Sequence, residues 1–124
     1  MIEFFDSDYC NGTASLYENH ITFSKNMIKY LSDAYKARVG LDKEHRQIFV
    51  YPLNKDTASS GEFPQSSLLS ISLAKSYARI CSKPLLNYIC SVFNIDIKKD
   101  EYVRYTAKYD DSRKAIKIEI GGKE

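Results

Sequence analysis

Hydrophobic and polar positions change period several times along the chain, and the changes mark out its elements. Residues 13–23 (TASLYENHITF) alternate in part and are rich in β-branched and aromatic types, which predicts a strand bent near Glu18-Asn19. Ser24 then stands as a helix N-cap, and Met27, Ile28 and Leu31 recur at helical spacing, predicting a helix over 25–33. Two strands follow, Tyr35 to Leu41 and Gln47 to Leu53, joined as a hairpin by the polar run Asp42-Lys43-Glu44-His45-Arg46. The stretch 54–67 (NKDTASSGEFPQSS) has little apolar content and reads as a linker. The same grammar then returns. Residues 68–81 (LLSISLAKSYARIC) predict a strand, and Ser82 is an N-cap with Pro84 in the first helical turn, where a missing N–H costs nothing. Leu85, Leu86, Ile89, Val92 and Phe93 give that helix its apolar side. A second hairpin, Tyr102 to Tyr109 with Ala115 to Ile120, turns across Asp110-Asp111-Ser112-Arg113-Lys114.

The two halves read as copies. Residues 21–33 (ITFSKNMIKYLSD) lie over 79–91 (RICSKPLLNYICS) at a constant offset of 58, matching Ser24 to Ser82, Lys25 to Lys83 and Tyr30 to Tyr88. Downstream, 35–50 lie over 103–118, matching Asp42 to Asp110, Arg46 to Lys114, Ile48 to Ile116 and Val50 to Ile118. A unit of this size, with one short helix and a few strands, cannot bury enough apolar surface to stand alone. Two units on one chain can cover each other's apolar faces and pair their sheet edges across a pseudo-twofold axis. The expected object is therefore an α+β, pseudo-symmetric single-chain dimer of β-rich half-units, each read as strand, helix and hairpin. It comprises a first half-unit at 13–53, a linker at 54–67 and a second half-unit at 68–120. An acidic, aromatic arm at 1–12 (Glu3, Asp6, Asp8, with Phe4 and Phe5) precedes them, and a tail at 121–124 follows.

Residues 13–53 resemble the AbrB/SpoVT-type swapped-hairpin transcription regulators. The resemblance rests on the strand lead-in His20-Ile21-Thr22-Phe23-Ser24, the short helix Lys25-Asn26-Met27-Ile28-Lys29-Tyr30-Leu31, and the hairpin 35–53. Residues 72–120 look like a second, more divergent copy. The resemblance implies half-units interleaved into one compact barrel, here as a tandem pseudodimer, with one basic face on DNA. Carried across by position, the family's strand-end basic place falls on His20 and its helix places on Ile28 and Lys29. Only Lys29 keeps a fixed charge there. In the second copy the helix places are Leu86 and Asn87, both uncharged, and the glycine and proline that bracket the family's lead-in strand are absent.

Charge sharpens this expectation. The net charge of the 124 residues is +2, yet 13–53 carry six Lys/Arg against four Asp/Glu and 69–120 carry ten against six. Both half-units thus have the sign that phosphate contacts require. Lys36 and Arg38 alternate along one strand, as do Arg104, Thr106 and Lys108, while Lys25 and Lys29 are spaced to share a helix face. The candidate duplex-DNA contacts are accordingly Lys25, Lys29, Lys36, Arg38, Lys83, Arg104 and Lys108; the plainer reading of the same residues is a solvated outer sheet face.

Other chemistry has little to stand on. Cys10, Cys81 and Cys90 form no CxxC, and with only His20 and His45 beside them they predict no zinc site and no disulfide framework. Cys81 and Cys90 read as buried and inert, and Asp110-Asp111 as turn chemistry. No phosphate loop, HExxH, GxSxG or EF-hand series occurs, so no catalytic residue, cofactor or metal is expected. The acidic first residues and the lack of a long apolar run predict a cytoplasmic, non-membrane protein, monomeric or homodimeric. With ten tyrosines and no tryptophan, the alternative reading is a protein-interaction module of antitoxin or inhibitor type.

Overall fold

The computed structural model describes residues 12–121. The chain is an α+β fold built on one antiparallel sheet of eight strands. In chain order the strands are β1 (Gly12–Tyr17), β2 (His20–Ser24), β3 (Lys36–Asp42), β4 (Gln47–Leu53), β5 (Ser72–Leu73), β6 (Tyr77–Cys81), β7 (Tyr102–Asp110) and β8 (Ala115–Glu119). They lie side by side as β3-β4-β8-β7-β1-β2-β6-β5. The sheet curls into a half-barrel. A single bridge, Ala37 with Leu69, brings the β3 edge against the segment that leads into β5.

Alternation decides which side of the sheet is core. Leu16, Ile21, Phe23, Ile48, Val50, Ala78, Ile80, Ala107, Ile116 and Ile118 all point inward and are fully buried. The helices fill that concave side. The α-helix Lys83–Phe93 contributes Leu86, Ile89 and Phe93, and the 3-10 helix Lys25–Tyr30, with the residue that ends it, contributes Met27 and Leu31. Apolar burial of about 1.5–3 kcal/mol per large side chain makes this one continuous core the dominant source of stability.

The hairpins form as read, with boundaries shifted by a residue. β4 and the α-helix 83–93 coincide with the expected spans. Ser82 caps that helix by accepting the Leu85 N–H, and Asn94 ends it in the left-handed region at φ 58°. The turns at 42–46 and 110–114 share one device. Asp42 accepts the His45 N–H, Asp110 accepts the Ser112 and Arg113 N–H groups, and the last turn residues, Arg46 (φ 54°) and Lys114 (φ 55°), are left-handed.

Several expectations are corrected. Residues 13–23 are not one bent strand but a tight hairpin, β1 and β2, paired Ala14–Phe23 through Leu16–Ile21. Glu18-Asn19 is the turn itself. The helix after Ser24 is a 3-10 helix, and Ser24 does not cap it. Its Oγ accepts the Thr13 N–H at 2.8 Å and donates to Asn26 instead. Residues 54–67 are more than a linker: Asn54 caps a short helix over Lys55–Ala58, a 3-10 turn covers Gln65–Ser67, and Ala58 is buried. Residues 68–81 do not make one strand, because the segment breaks after the Leu69 bridge into β5 and β6. The constant offset of 58 also fails inside the strands. It places Ile21 over Arg79, whereas Ile21 points into the core and Arg79 points out of it; matching the two burial patterns needs an offset one residue smaller. The arm expected at 1–12 lies outside the described residues, except that Gly12 already belongs to β1.

A candidate nucleic-acid interface on the outer sheet face

The strands β6, β2, β1 and β7 turn one set of alternate positions away from the core, all at least partly exposed except the buried Ser15, and register assembles these into three rows. The first is Cys81–His20–Tyr17–Tyr102, the second Arg79–Thr22–Ser15–Arg104, the third Tyr77–Ser24–Thr13–Thr106. None of these positions carries a carboxylate.

The first row is a column of rings. Tyr17 and His20 face each other across the hairpin with centroids 4.3 Å apart and planes 13° from parallel, and Tyr102 follows at 5.1 Å and 31°. Cross-strand neighbours sit about 4.8 Å apart, which lies within the centroid separations of offset aromatic pairs, so rings on adjacent strands stand side by side. Burial, followed by the Arg79 charge, holds His20 below its ordinary value of 6.5, leaving a neutral ring near pH 7. Its Nδ1 lies 2.7 Å from Asn19 Oδ1.

The second row places one guanidinium at each end. Arg79 lies over the Tyr77 ring at 5.1 Å, and its Nη2 donates to the Tyr77 hydroxyl at 3.3 Å. Arg104 lies over Tyr102 at 5.3 Å, donates from Nη2 to the Tyr102 hydroxyl and from Nε to Ser15 Oγ. In both cases a residue two positions earlier on the same strand face supplies the ring, a consequence of period-two geometry. Three inter-strand steps, about 14 Å, separate the two arginines.

The residues expected to contact DNA are dispersed. Arg104 belongs to this face, and Lys108 follows it outward along β7, opposite Lys117 of β8. Lys36 and Arg38 do share the outward side of β3, but β4 and β8 stand between them and β7. Lys36 donates to Ser70 Oγ at 2.9 Å, and Arg38 stacks on Phe63 at 4.0 Å with a buried, unpaired Nε. Lys25, Lys29 and Lys83 sit exposed on the helices, which line the other side of the sheet. Lys25 and Lys29 do not share a helix face: at three residues per turn, positions i and i+4 point about 120° apart.

Arg79 is thus a residue of this candidate face that the expected contacts did not include, and Tyr17, Tyr77 and Tyr102 are the tyrosines of the interaction-module reading that lie on it. An x-Arg-x alternation with aromatic neighbours is visible at 77–79 and 102–104. What was missing was that 12–24 form a hairpin, which is what brings the two pairs onto one face. Cys81 is exposed rather than buried, and Cys90 is only partly covered, with its thiol pushed up by burial. His45 is exposed and has a partner: its Nδ1 lies 2.9 Å from Asp42 Oδ2, which raises the imidazole, while the His45 backbone N–H and then the ring lower the Asp42 carboxylate. Tyr109 stacks on Tyr30 at 4.2 Å, and Tyr105 lies opposite Ala14 in the β1–β7 ladder. Among the described residues no group of His, Cys, Asp and Glu is placed to hold a metal, and no helix is long and apolar enough to cross a membrane. Comparison with family models, with curated proteins and with solved structures finds no match to this chain.

Proposed function

We propose that this chain is a DNA-binding protein of regulatory type that docks through the outer face of β6-β2-β1-β7. The observation that carries the reading is the second row. Two arginines, each oriented by a tyrosine two residues away, flank a strip of hydroxyls with no carboxylate among them. A guanidinium held against a ring has lost part of its conformational freedom before it meets a phosphate, so less entropy is lost on contact. Thr22, between the arginines, suits a further contact to a sugar–phosphate backbone, while Ser15 is buried and its hydroxyl accepts from Arg104. Relative to the expectation from sequence, the class of ligand is kept and the residues that meet it move, with Arg104 common to both.

The same reading treats the chain as two swapped-hairpin units in tandem. It is supported by the repeated order of strand, strand, helix and hairpin, and by the matching Asp-led turns ending at Arg46 and Lys114. It is supported too by β2 pairing with β6 and β4 with β8, the contacts a pseudo-twofold axis would pass through. The ladder Arg38–Tyr51 through Asp42–Gln47 maps onto Thr106–Glu119 through Asp110–Ala115 at one offset of 68.

The test is fluorescence anisotropy with labelled 30-mer DNA, duplex and single-stranded, over a salt series. Retention at low salt, a steep salt slope, and a slope reduced by about 0.7–0.9 in Arg104→Ala are the expected results. Absence of binding to either form at low salt refutes the proposal.

A further inference from the structure

Building on that reading, we infer that the outer face takes DNA in its single-stranded form, with unpaired bases extending the ring column. His20 stacks on Tyr17 at 4.3 Å and Tyr102 continues the column as a tilted contact at 5.1 Å, so the column is an existing run of rings built across three strands. At its β6 end the next register position is Cys81, short and exposed, and no ring continues the column among the described residues. Tyr102, at the β7 end, is 47% exposed. An exposed tyrosine at the end of a stack leaves apolar ring surface in water, and a planar base is the group that covers it at the stacking distance.

The neighbouring row fixes the other half of the ligand. Arg79 lies two residues from Cys81 on β6, and Arg104 two residues from Tyr102 on β7. Each open end of the column therefore has a guanidinium about 6.8 Å along the strand. A base on the column and its phosphate on the adjacent arginine is a spacing that one nucleotide spans. Duplex DNA cannot use this arrangement, because its base faces are stacked internally and only edges and phosphates are presented. An unpaired strand presents both. The absence of carboxylates from the three rows completes the complementarity with a polyanion.

The experiment uses the full chain with 5′-labelled dT12, a 12-bp duplex and rU12, read by anisotropy at low and moderate salt. A second readout is the emission of the protein itself, which comes from tyrosine because the sequence has no tryptophan. The expected result is tighter binding of dT12 than of duplex, with quenched tyrosine emission. Tyr102→Ala and His20→Ala should each weaken dT12 binding by about 5- to 150-fold, with Tyr102→Phe close to wild type. Both positions lie on the solvent side of the sheet, and circular dichroism melting establishes that each variant is folded. Duplex bound as tightly as dT12 overturns the inference and leaves the proposed function standing. Binding of rU12 without dT12 overturns the inference as well, and binding of none overturns both. Loss of binding in Tyr102→Phe equal to that in Tyr102→Ala would also overturn it, since stacking does not need the hydroxyl.

Discussion

Two corresponding turns give a sharp test of how the hairpins are held. Arg46 and Lys114 both end four-residue turns in the left-handed region, at φ 54° and 55°. A left-handed backbone costs an L-residue about 1–2 kcal/mol, and glycine removes that cost while adding entropy to the unfolded chain. Lys114 is exposed, so Lys114→Gly should stabilise the protein by about 0.5–1 kcal/mol, or about 2–4 °C in Tm. Arg46 has taken on a second task. Its side chain donates from Nε to the Gly121 carbonyl and from Nη2 to the Phe93 carbonyl at 3.3 Å, and lies over the Phe93 ring at 5.5 Å. It thereby places a cation at the C-terminal end of the helix 83–93, where the dipole favours positive charge. Half-buried, charge-assisted bonds and a cation–π contact outweigh the backbone relief, so Arg46→Gly should destabilise by about 1–3 kcal/mol. Equilibrium urea denaturation followed by far-ultraviolet circular dichroism measures both. Opposite signs are required; if both variants stabilise equally, Arg46 does not tie the first hairpin to the helix, and if Lys114→Gly destabilises, the backbone argument fails.

Two further outcomes follow from the core and from His20. A Cβ on Gly12 would meet Met27 Cγ at 2.6 Å and Asn26 Oδ1 at 2.8 Å, as well as Ser24 Oγ, so Gly12→Ala should cost about 1–3 kcal/mol in a thermal melt. Because His20 is held below 6.5 in the folded chain, the unfolded chain binds more protons as pH falls past that value. The contribution is therefore fully present above about 6.5 and is lost on acidification through the lower folded value. A stability–pH series from 7.5 to 4.5 should show the decline, with a shallower slope in His20→Phe; an unchanged slope would mean His20 is not responsible.

The stretches that local chemistry governs were readable in the chain. Ser82, the apolar spacing of 85–93 and the Asp-led turns each act within a few residues, so the helix 83–93 and both later hairpins follow from neighbours alone. Ser24 misled because its hydroxyl is engaged by Thr13, eleven residues earlier, which no local pattern encodes. The hairpin at 17–20 was hidden for a related reason: Glu18-Asn19 is a two-residue turn without glycine, stabilised by pairing of its strands against β6 and β7. The proposed interface is entirely of this second kind. Arg79 and Arg104 are 25 positions apart in sequence and become ends of one row only because β1 and β2 insert between β7 and β6. The sequence by itself determined the composition, the alternation that gives each strand an inner and an outer side, and the local turns. Strand order was decided by the tertiary structure, because burying one shared core selects among pairings that the local pattern leaves equivalent.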